Sequence, residues 1–543
     1  MFLERATRIL INGKIFTADE KNPWAQAVVI KGNKIVYVGA NEGALKFAGD
    51  AAQAQDLGGK LATPGLIDGH MHFFGATVFE GLAQLSGLNP EEILKTVKAY
   101  IEERPERSAY AGEGWFDNAF GEVGPNKKDL DAICPDKPVA LFSASMHTLW
   151  CNSKALEIAN ITRDTPDVDP QGGVVFQRDE NGEPTGYAKE LGSINQIMRC
   201  ANYFDDSLLD KTFKSFMAKC AGLGITSVVD CGALSFMKSL MNDKLNAAFD
   251  KNKTPIRLNF CGYAGASGLY EAAFNDTLDL ARKYKNDRFF CSFHKLFNDG
   301  TVESASAALP NAYPSGNIIK PNMTAETLAE KFERCAKAGL DVNVHAIGSN
   351  AVRNVLLAAG IVRKKGYKDI RIICSHSSYV FPEDVALFGK NDVFSDTTGC
   401  WISAADEATD EFISKLTDAR AYPVRSIMAG GTKVGFGSDF PTDPMSLPPM
   451  KSIECLVTRQ AVGQKDGYVH DGAERLSVEE VIKGYTINNA YQMRKEDVLG
   501  SIEVGKYADI TIFEQNLFEI EPHEIHNVKV AETIKDGLTT YKS

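Results

Sequence analysis

Two histidines one residue apart end an apolar run at residues 64–72 (PGLIDGHMH). In an extended strand alternate side chains share a face, so we expect His70 and His72 to point the same way and Met71 to point into the opposite layer. Two imidazoles on one face can hold one metal ion. Taken alone, the same two residues also fit a pair of hydrogen-bonded histidines at a strand end.

Four further residues of ligand or base type follow short apolar runs elsewhere: Lys295, His345, His376 and Asp439. A single histidine at a strand end is more often structural, and a single aspartate there is more often a helix N-cap. Metal-assisted hydrolysis requires imidazole and carboxylate ligands, an open position for water and a base that takes the proton of that water. Together with the histidine pair, this set supplies both the ligands and the base.

Eight strand-like runs must position these side chains, and helix-like periodicity falls between most of them. Eight strands alternating with helices predict an α/β protein with a (β/α)8 TIM barrel, although the count alone leaves a doubly wound sheet open. The candidate residues favour the barrel because they lie at or near the C-terminal ends of their strands, where barrels build active sites. The predicted strands are 61–72, 225–230, 256–261, 289–297, 342–345, 372–376, 393–397 and 434–439, and the predicted helices are 208–223, 278–284, 325–338, 351–364 and 423–429.

Both ends of the chain are rich in short strands, with turn-forming pairs at Gly32-Asn33 and Asp536-Gly537. Neither end alone would bury its apolar face, which predicts a small β-sandwich domain built from residues 1–60 and 497–543, around a barrel domain at 61–496. About 150 residues separate the first barrel strand from the second, far more than a crossover needs. We therefore expect an inserted subdomain, at about 84–204, at the mouth of the barrel.

The composition is that of a folded soluble protein, with 543 residues, 44% hydrophobic and 24% charged, and a net charge of −12. This length favours one large domain with a smaller partner. The acidic balance argues against a nucleic-acid or membrane partner, because both surfaces need clustered Lys and Arg. The sequence has no signal-peptide core at its start and no run of about 18 apolar residues. Eleven cysteines without a C-x-x-C pair indicate reduced thiols, disfavour a cysteine zinc site and predict a cytoplasmic protein.

Several motifs together resemble those of one known family. Residues 64–72 resemble the first-strand motif of the amidohydrolase superfamily, and residues 437–441 (GSDFP) resemble its eighth-strand motif. Residues 499–510 (LGSIEVGKYADI) are similar to the segment in which that family returns from the barrel to the sheet domain. Residues 152–156 (NSKAL) and 295–300 (KLFNDG) point further, to the YtcJ-like branch, sometimes called amidohydrolase 3. The resemblance covers nearly the whole chain, although residues 397–401 (TTGCW) lack the Gln-Pro often found there.

The resemblance implies a divalent metal cofactor, expected to be zinc, with one or two ions per chain. It implies that His70 and His72 hold one metal, that His345 and His376 hold a second or share a site, and that Asp439 binds metal and shuttles the proton. Histidine and carboxylate ligands also suit manganese, iron or nickel. The habit of the family further implies a homodimer.

The resemblance also implies that Lys295 bridges two metals as a carboxylated lysine, and carbamylation does turn a cation into a bidentate anion. Phe293 and Phe297 flank it in an apolar strand, where an ammonium without a partner would be costly. This favours the modified or metal-bound form over the alternative, a lysine in a surface ion pair. Its neighbour His294 points to the other face and is expected to be structural.

In this branch the insertion supplies substrate contacts, which implies lid or pocket roles for Trp115, Asp117 and His147. The alternatives are that Trp115 belongs to the core of the insertion and that His147 is a satisfied core histidine. Arg459 matches a substrate-binding position of the branch, with an ion pair on a helix surface as its alternative.

The leading functional hypothesis is a metal-dependent hydrolase of a C–N bond in a small amide or cyclic amide. His345 or His376 would polarise the carbonyl oxygen, and Asp439 would deliver the proton to the leaving nitrogen. Ester, lactone or carbamate hydrolysis needs the same machinery. A deaminase is less favoured, because His345 is followed by Ala346-Ile347-Gly348 rather than by the His-x-x-Glu arrangement of such relatives. A metal-binding scaffold or regulatory protein is the non-enzymatic alternative, and the intact proton shuttle argues against it.

Overall fold

A computed structural model of the chain describes most of its residues. The described ranges are 8–48, 54–121, 123–144, 148–167, 174–204, 206–232, 249, 254–262, 270–302, 305–404, 406–443 and 445–543.

Eight parallel strands in this part of the chain form a barrel, which confirms the predicted fold. In chain order they are β1 Leu66–Met71, β2 Ile225–Asp230, β3 Arg257–Phe260, β4 Phe293–Phe297, β5 Asp341–Ala346, β6 Ile372–His376, β7 Val393–Thr398 and β8 Val434–Gly437. Hydrogen bonds join these strands in two runs of neighbours: β1, β2 and β3 form one, and β4, β5, β6, β7 and β8 form the other. The backbone N–H of Asp439 donates to the carbonyl of His70 at 2.7 Å, which closes the ring between β8 and β1.

The predicted strand at 61–72 divides into two strands that belong to different sheets. Leu61–Pro64 pairs with Ile510–Phe513 in a terminal sheet, whereas β1 pairs with β2 in the barrel. Gly65 lies at the break, where a Cβ would be 2.4 Å from Thr226 Oγ1, so only glycine permits this approach. The predicted strand at 289–297 divides in the same way, into Phe289–Phe290, which pairs with β3, and β4, which pairs with β5.

Two sheets are built from the two ends of the described chain, and they pack around Ile15, Val28, Ala62, Ile510 and Ile534. The predicted turn at Asp536-Gly537 is present, with φ of 51° and 76°. The strands are Arg8–Ile11, Ala27–Lys31, Lys34–Gly39 and Ala54–Asp56 in one sheet, and Lys14–Phe16, Trp24–Ala25, Leu61–Pro64, Ile510–Phe513, Val530–Lys535 and Leu538–Lys542 in the other.

Between β1 and β2 the chain forms a separate six-stranded sheet with its own apolar core, which includes Trp115, Leu141 and Trp150. Its strands are Ala83–Gln84, Tyr110–Trp115, Val139–Ser143, Thr148–Cys151, Val175–Arg178 and Pro184–Lys189, and its helices are Pro90–Glu102, Lys127–Asp131, Ser153–Ile158 and Glu190–Met198. Domain boundaries within the chain stay a prediction.

Amphipathic helices cover the outside of the barrel and bury apolar faces against its strands. Some of these helices begin at a side-chain cap: the Thr324 side chain, for example, accepts a hydrogen bond from the Thr327 N–H at 3.3 Å. No helix in the described ranges is long and apolar enough to span a bilayer. The helices outside the insertion are Asn41–Leu45, Phe73–Phe79, Asp206–Gly222, Tyr270–Lys283, Ala325–Lys337, Ser349–Lys364, Val385–Lys390, Glu407–Leu416, Val424–Ala429, Pro449–Thr458, Val478–Lys483 and Asn489–Gln492.

Candidate metal centre

His70, His72 and Asp439 form one cluster at the C-terminal mouth of the barrel. His70 and His72 lie at the end of β1, and Asp439 follows β8. Their nearest ligand atoms all lie within 4.8 Å of one another, with Asp439 Oδ1 at 3.2 Å from His72 Nε2 and 3.4 Å from His70 Nε2. We refer to these three residues as the carboxylate side of the site.

The other ring nitrogen of each histidine on the carboxylate side is engaged. His70 Nδ1 donates to Asp396 Oδ2 at 2.6 Å, and His72 Nδ1 donates to the carbonyl of Gly232 at 2.8 Å. Because both acceptors are oxygens, the hydrogen sits on Nδ1 and the Nε2 lone pairs face Asp439. Asp439 Oδ1 is buried and accepts no hydrogen bond within the described chain. Two imine nitrogens facing one orphaned carboxylate oxygen fit the donor set of a divalent metal ion.

The backbone at the mouth of the barrel is held in an uncommon conformation. Asp439 has a φ of 52°, and His376, at the end of β6, has a φ of 73°. Both values lie in the left-handed region, which non-glycine residues rarely adopt and which clusters at functional sites. The buried carboxylate of Asp68 accepts N–H bonds from His70 at 3.1 Å and Ser438 at 3.0 Å, which ties β1 to the end of β8.

His345 and His376 form the opposite wall, which we call the aromatic side. Their rings lie 4.5 Å apart between centroids, and the His376 ring is 4.8 Å from that of His70. His376 stacks on Trp401 at 5.1 Å with an interplanar angle of 14°, and His345 lies 5.3 Å from the ring of Phe297. His345 Nε2 is 3.4 Å from the carbonyl of Gly300, whereas the ring nitrogens of His376 make no hydrogen bond to the described residues.

Lys295 lies between the two sides, in the middle of β4, with 1% of its surface exposed. Its Nζ is 3.3 Å from His70 Nε2 and 5.4 Å from the centroid of the Phe297 ring. Within the described part of the chain it forms no ion pair with a carboxylate. A buried amine with an imidazole and a ring as its neighbours lacks the partner that a charged ammonium needs.

Burial and charge set the protonation states of the site. Burial lowers the pKa of His345 to about 3 and, together with the neighbouring imidazole of His345, holds the pKa of His376 well below its ordinary value. Burial alone would raise the pKa of Asp439, but in the metal-free chain His70 and His72, when protonated, outweigh burial and hold this pKa far below the usual range. Near neutral pH the aromatic side is therefore neutral and the Asp439 carboxylate is ionised, as metal ligands must be.

A family model of the amidohydrolase family matches residues 53–541 of the chain. The chain belongs to the amidohydrolase family. This membership confirms the predicted family and the predicted class of function, a metal-dependent hydrolase of C–N bonds.

Three relatives and one solved structure are similar over most of their lengths. The putative amidohydrolase YtcJ of Bacillus subtilis (strain 168) is 27% identical over 98% of both chains. The N-substituted formamide deformylase of Arthrobacter pascens is 25% identical over 98% of both. The exoenzymes regulatory protein AepA of Pectobacterium carotovorum subsp. carotovorum is 29% identical over 72% of this chain and 84% of its own. An uncharacterized metal-dependent hydrolase from Pyrococcus furiosus shares the fold, with a TM-score of 0.73 and 24% identity over 94% of this chain and 100% of its own.

Two of the residues predicted to contact substrate, Trp115 and Asp117, make their described contacts within the insertion. Trp115 is fully buried in the core of the insertion, where its Nε1–H donates to the carbonyl of Leu141 at 2.9 Å. This corrects the expectation of a pocket role, because the buried indole presents no face to a substrate. Asp117 accepts hydrogen bonds from the hydroxyls of Thr148 at 2.5 Å and Tyr187 at 2.8 Å, within the insertion. His147 lies outside the described residues.

Arg459 also differs from both of its expected roles. It is fully buried and caps the helix Pro449–Thr458, with its guanidinium donating to the carbonyls of His470 and Tyr422. Burial lowers its pKa to about 10. These contacts are to the backbone of neighbouring loops, so Arg459 neither lines the metal cluster nor pairs on a helix surface.

Sequence reasoning missed three residues that shape the amidohydrolase site. Asp396, in β7, orients His70, and Trp401 covers one face of His376. The buried carboxylate of Asp299 accepts the N–H groups of Ile347 at 3.0 Å and Gly348 at 2.7 Å, and so holds the loop after β5. Burial raises the pKa of Asp299 to about 7. Asp396 could have been noticed in the sequence, because it is an acidic residue inside a short strand that is otherwise free of charge.

Proposed function

We propose that this amidohydrolase cleaves an amide bond of a small molecule at a metal held by His70, His72 and Asp439. The observation that carries the proposal is the buried Asp439 Oδ1, which lacks a hydrogen-bond donor and faces two imidazole Nε2 atoms. His345 and His376 would hold a second ion, or act on the substrate directly if only one ion binds. Lys295 would bridge the two ions in carboxylated form, since its amine lies between the two sides.

A bound dication would supply Lewis acidity and a water of lowered pKa. Side chains of the protein would transfer the proton and stabilise the developing negative charge. With Oδ1 directed at the metal position, the ionised Asp439 carboxylate can take a proton at Oδ2 and return it to the leaving nitrogen. The neutral rings of His345 and His376 each keep one N–H, and in a one-metal form such an N–H can donate to the carbonyl oxygen as negative charge develops there.

Zinc is the metal that best suits this donor set, since two imidazoles and a carboxylate are typical of hydrolytic zinc sites. Small N-substituted formamides are the first substrates to test, because the Arthrobacter relative is named for that reaction. The cytoplasmic location and the homodimer expected from the sequence stay predictions.

Asp439→Asn tests the proposed proton shuttle. The variant keeps the shape of the side chain and one oxygen that can still coordinate, but it loses the carboxylate, so we expect weaker zinc affinity, metal retained at saturating zinc, and turnover of formamides and other small amides lowered by about 10²- to 10⁴-fold under that condition. Metal content by atomic emission and kcat on an amide and ester panel are the measurements. Metal retained without any turnover in the wild-type chain would instead favour a scaffold or regulatory protein.

Lys295→Ala tests the carboxylated bridge. Removing the bridge should reduce a two-metal chain to about one metal per chain, and added bicarbonate should not restore the second ion. His294→Ala is the matched control, because His294 lies on the same strand but faces Thr277 and Phe274. Two metals and a full rate in Lys295→Ala would show that the lysine does not bridge.

A further inference from the structure

A row of buried polar side chains crosses the interior of the barrel beneath the metal cluster. Asn343, Ser375 and Asp396 lie on the consecutive strands β5, β6 and β7 and are at most 1% exposed. Ser375 Oγ is 2.8 Å from Asn343 Oδ1 and 3.1 Å from Asp396 Oδ2, so the hydroxyl can donate to either. The same Asp396 Oδ2 receives the Nδ1–H of His70 at 2.6 Å. We call these three residues the polar row.

The strand between the polar row and His70 places glycines beside both, since Gly435 pairs with Asp396 and Gly437 lies against His70. Strand β8 lies between β7 and β1, and its last residue is Gly437. A Cβ at Gly437 would lie 2.3 Å from the backbone nitrogen of His70 and 2.6 Å from its Cβ. Any larger residue would push His70 away from its present position and would therefore move the Nδ1 that meets Asp396.

The charge of Asp396 is poorly compensated by the chain itself. Its Oδ1 is buried without a hydrogen-bond partner, and within the described residues its only ion-pair partner is the imidazole of His70. A buried carboxylate in such surroundings is costly unless it is paired. A dication on His70 Nε2 would supply the missing positive charge through the ring, because the Nδ1 hydrogen bond couples the carboxylate to the donor atom.

We propose that Asp396 is the positioning residue that fixes His70 as a metal donor, and that Ser375 and Asn343 hold its carboxylate in place. The proposal rests on the metal site of the proposed function. In this proposal the polar row raises the affinity of the site for the metal and takes no part in the chemical step. The Nδ1–H of His72 donates to a neutral carbonyl, that of Gly232, rather than to a carboxylate. The Nε2 atoms of the two histidines should therefore differ in how strongly they donate to a metal.

Zinc affinity of the metal-free full-length chain tests the proposal directly. We expect Asp396→Asn and Asp396→Ala to weaken zinc binding by about 10- to 100-fold and Ser375→Ala to weaken it less. The measurement is competition with a chromophoric chelator, and the visible spectrum of the cobalt form should change in the Asp396 variants. Asp396→Asn keeps the volume of the side chain, and Ser375→Ala offers a milder change if the Asp396 variants do not fold.

Asp341→Asn is the matched control. Asp341 is equally buried but lies at the other end of β5, where it pairs with Arg494 at 2.5 Å. This variant should lose stability and keep the zinc affinity of the wild type. Unchanged zinc affinity in Asp396→Asn and Ser375→Ala would overturn the inference and leave the metal site intact. A wild-type chain that binds no zinc or cobalt would instead overturn the proposed function.

Discussion

The two sides of the metal centre are held by different forces. On the carboxylate side each imidazole is tied through Nδ1 to an oxygen, which leaves one defined nitrogen for a cation. On the aromatic side the rings of His345 and His376 pack against Phe297 and Trp401, and the one ring hydrogen bond to the described residues is a long contact of His345 Nε2 with the carbonyl of Gly300, at 3.4 Å. Hydrogen bonds fix a tautomer, whereas stacking fixes only the plane of the ring. The contacts on the carboxylate side therefore suit one ion, as proposed above, and those on the aromatic side suit either a second ion or the substrate.

His72→Ala should have the largest effect, because it removes a ligand from the side prepared for the metal. We expect zinc affinity to fall by more than the roughly 100-fold that loss of an outer hydrogen-bond partner costs, and turnover to fall with it. Chelator competition and kcat at saturating zinc measure the two effects. Normal zinc content in this variant would show that the first ion does not bind on the carboxylate side.

His376→Ala should distinguish the role of the aromatic side from that of the carboxylate side. If the comparison holds, the variant keeps at least one zinc per chain while kcat falls by about 100-fold, as expected for a lost group that stabilises the developing oxyanion. Metal analysis and kcat on a small amide are the measurements. His294→Ala, which removes a buried histidine on β4 that faces Thr277, should leave both quantities near the wild type. Loss of all metal in His376→Ala would contradict the division into two sides.

Trp401→Ala should have a moderate effect, since it removes the ring on which His376 rests. Aromatic contacts of this kind contribute about 0.5–1.5 kcal/mol, which corresponds to a loss of about 2- to 10-fold in kcat/KM. Trp401→Phe keeps a stacking face and should stay near the wild-type value. Equal losses in the two variants would show that the plane of His376 does not depend on this ring.

The smallest expected effect concerns His294, a histidine that burial and the nearby cations Lys331 and Arg334 keep neutral by lowering its pKa. Burial lowers its pKa to about 4 from an ordinary 6.5, so below pH 6.5 the unfolded chain binds a proton that the folded chain does not. The contribution of neutral His294 to the free energy of unfolding is therefore fully present above pH 6.5 and is lost as the pH falls toward 4. In metal-free protein, the free energy of unfolding of the wild type should fall between pH 7.5 and pH 4.5 by about 2–3 kcal/mol more than that of His294→Gln. Urea unfolding at the two pH values measures this difference, and equal losses would contradict it.

The sequence predicted most of the barrel because its strands are short apolar runs bounded by turn residues. The predicted strands 225–230 and 372–376 match the observed bounds. The division at Gly65 could not be predicted, because an unbroken apolar run carries no sign that its halves pair with different sheets. That information lies in strands that are distant in the sequence.

The candidate site was predicted in part. The spacing of His70 and His72 indicates a shared face, and the barrel then places Asp439 beside them. The pairing of Asp396 with His70 depends on a glycine in the strand between them, which no periodicity reveals. Trp115 was assigned a pocket role through family resemblance, whereas packing against Trp150 and Phe120 decides its place.

The single glycine between the terminal sheet and β1 has a consequence for the order of folding. Leu61–Pro64 is made early in synthesis, but its partner Ile510–Phe513 emerges only after nearly the whole barrel has been translated. The segment that carries the first two imidazoles therefore stays without one of its neighbours while the chain is on the ribosome. The two imidazoles are therefore made before Asp439 and before the strand that anchors their segment, so the complete donor set exists only once most of the chain has been synthesised.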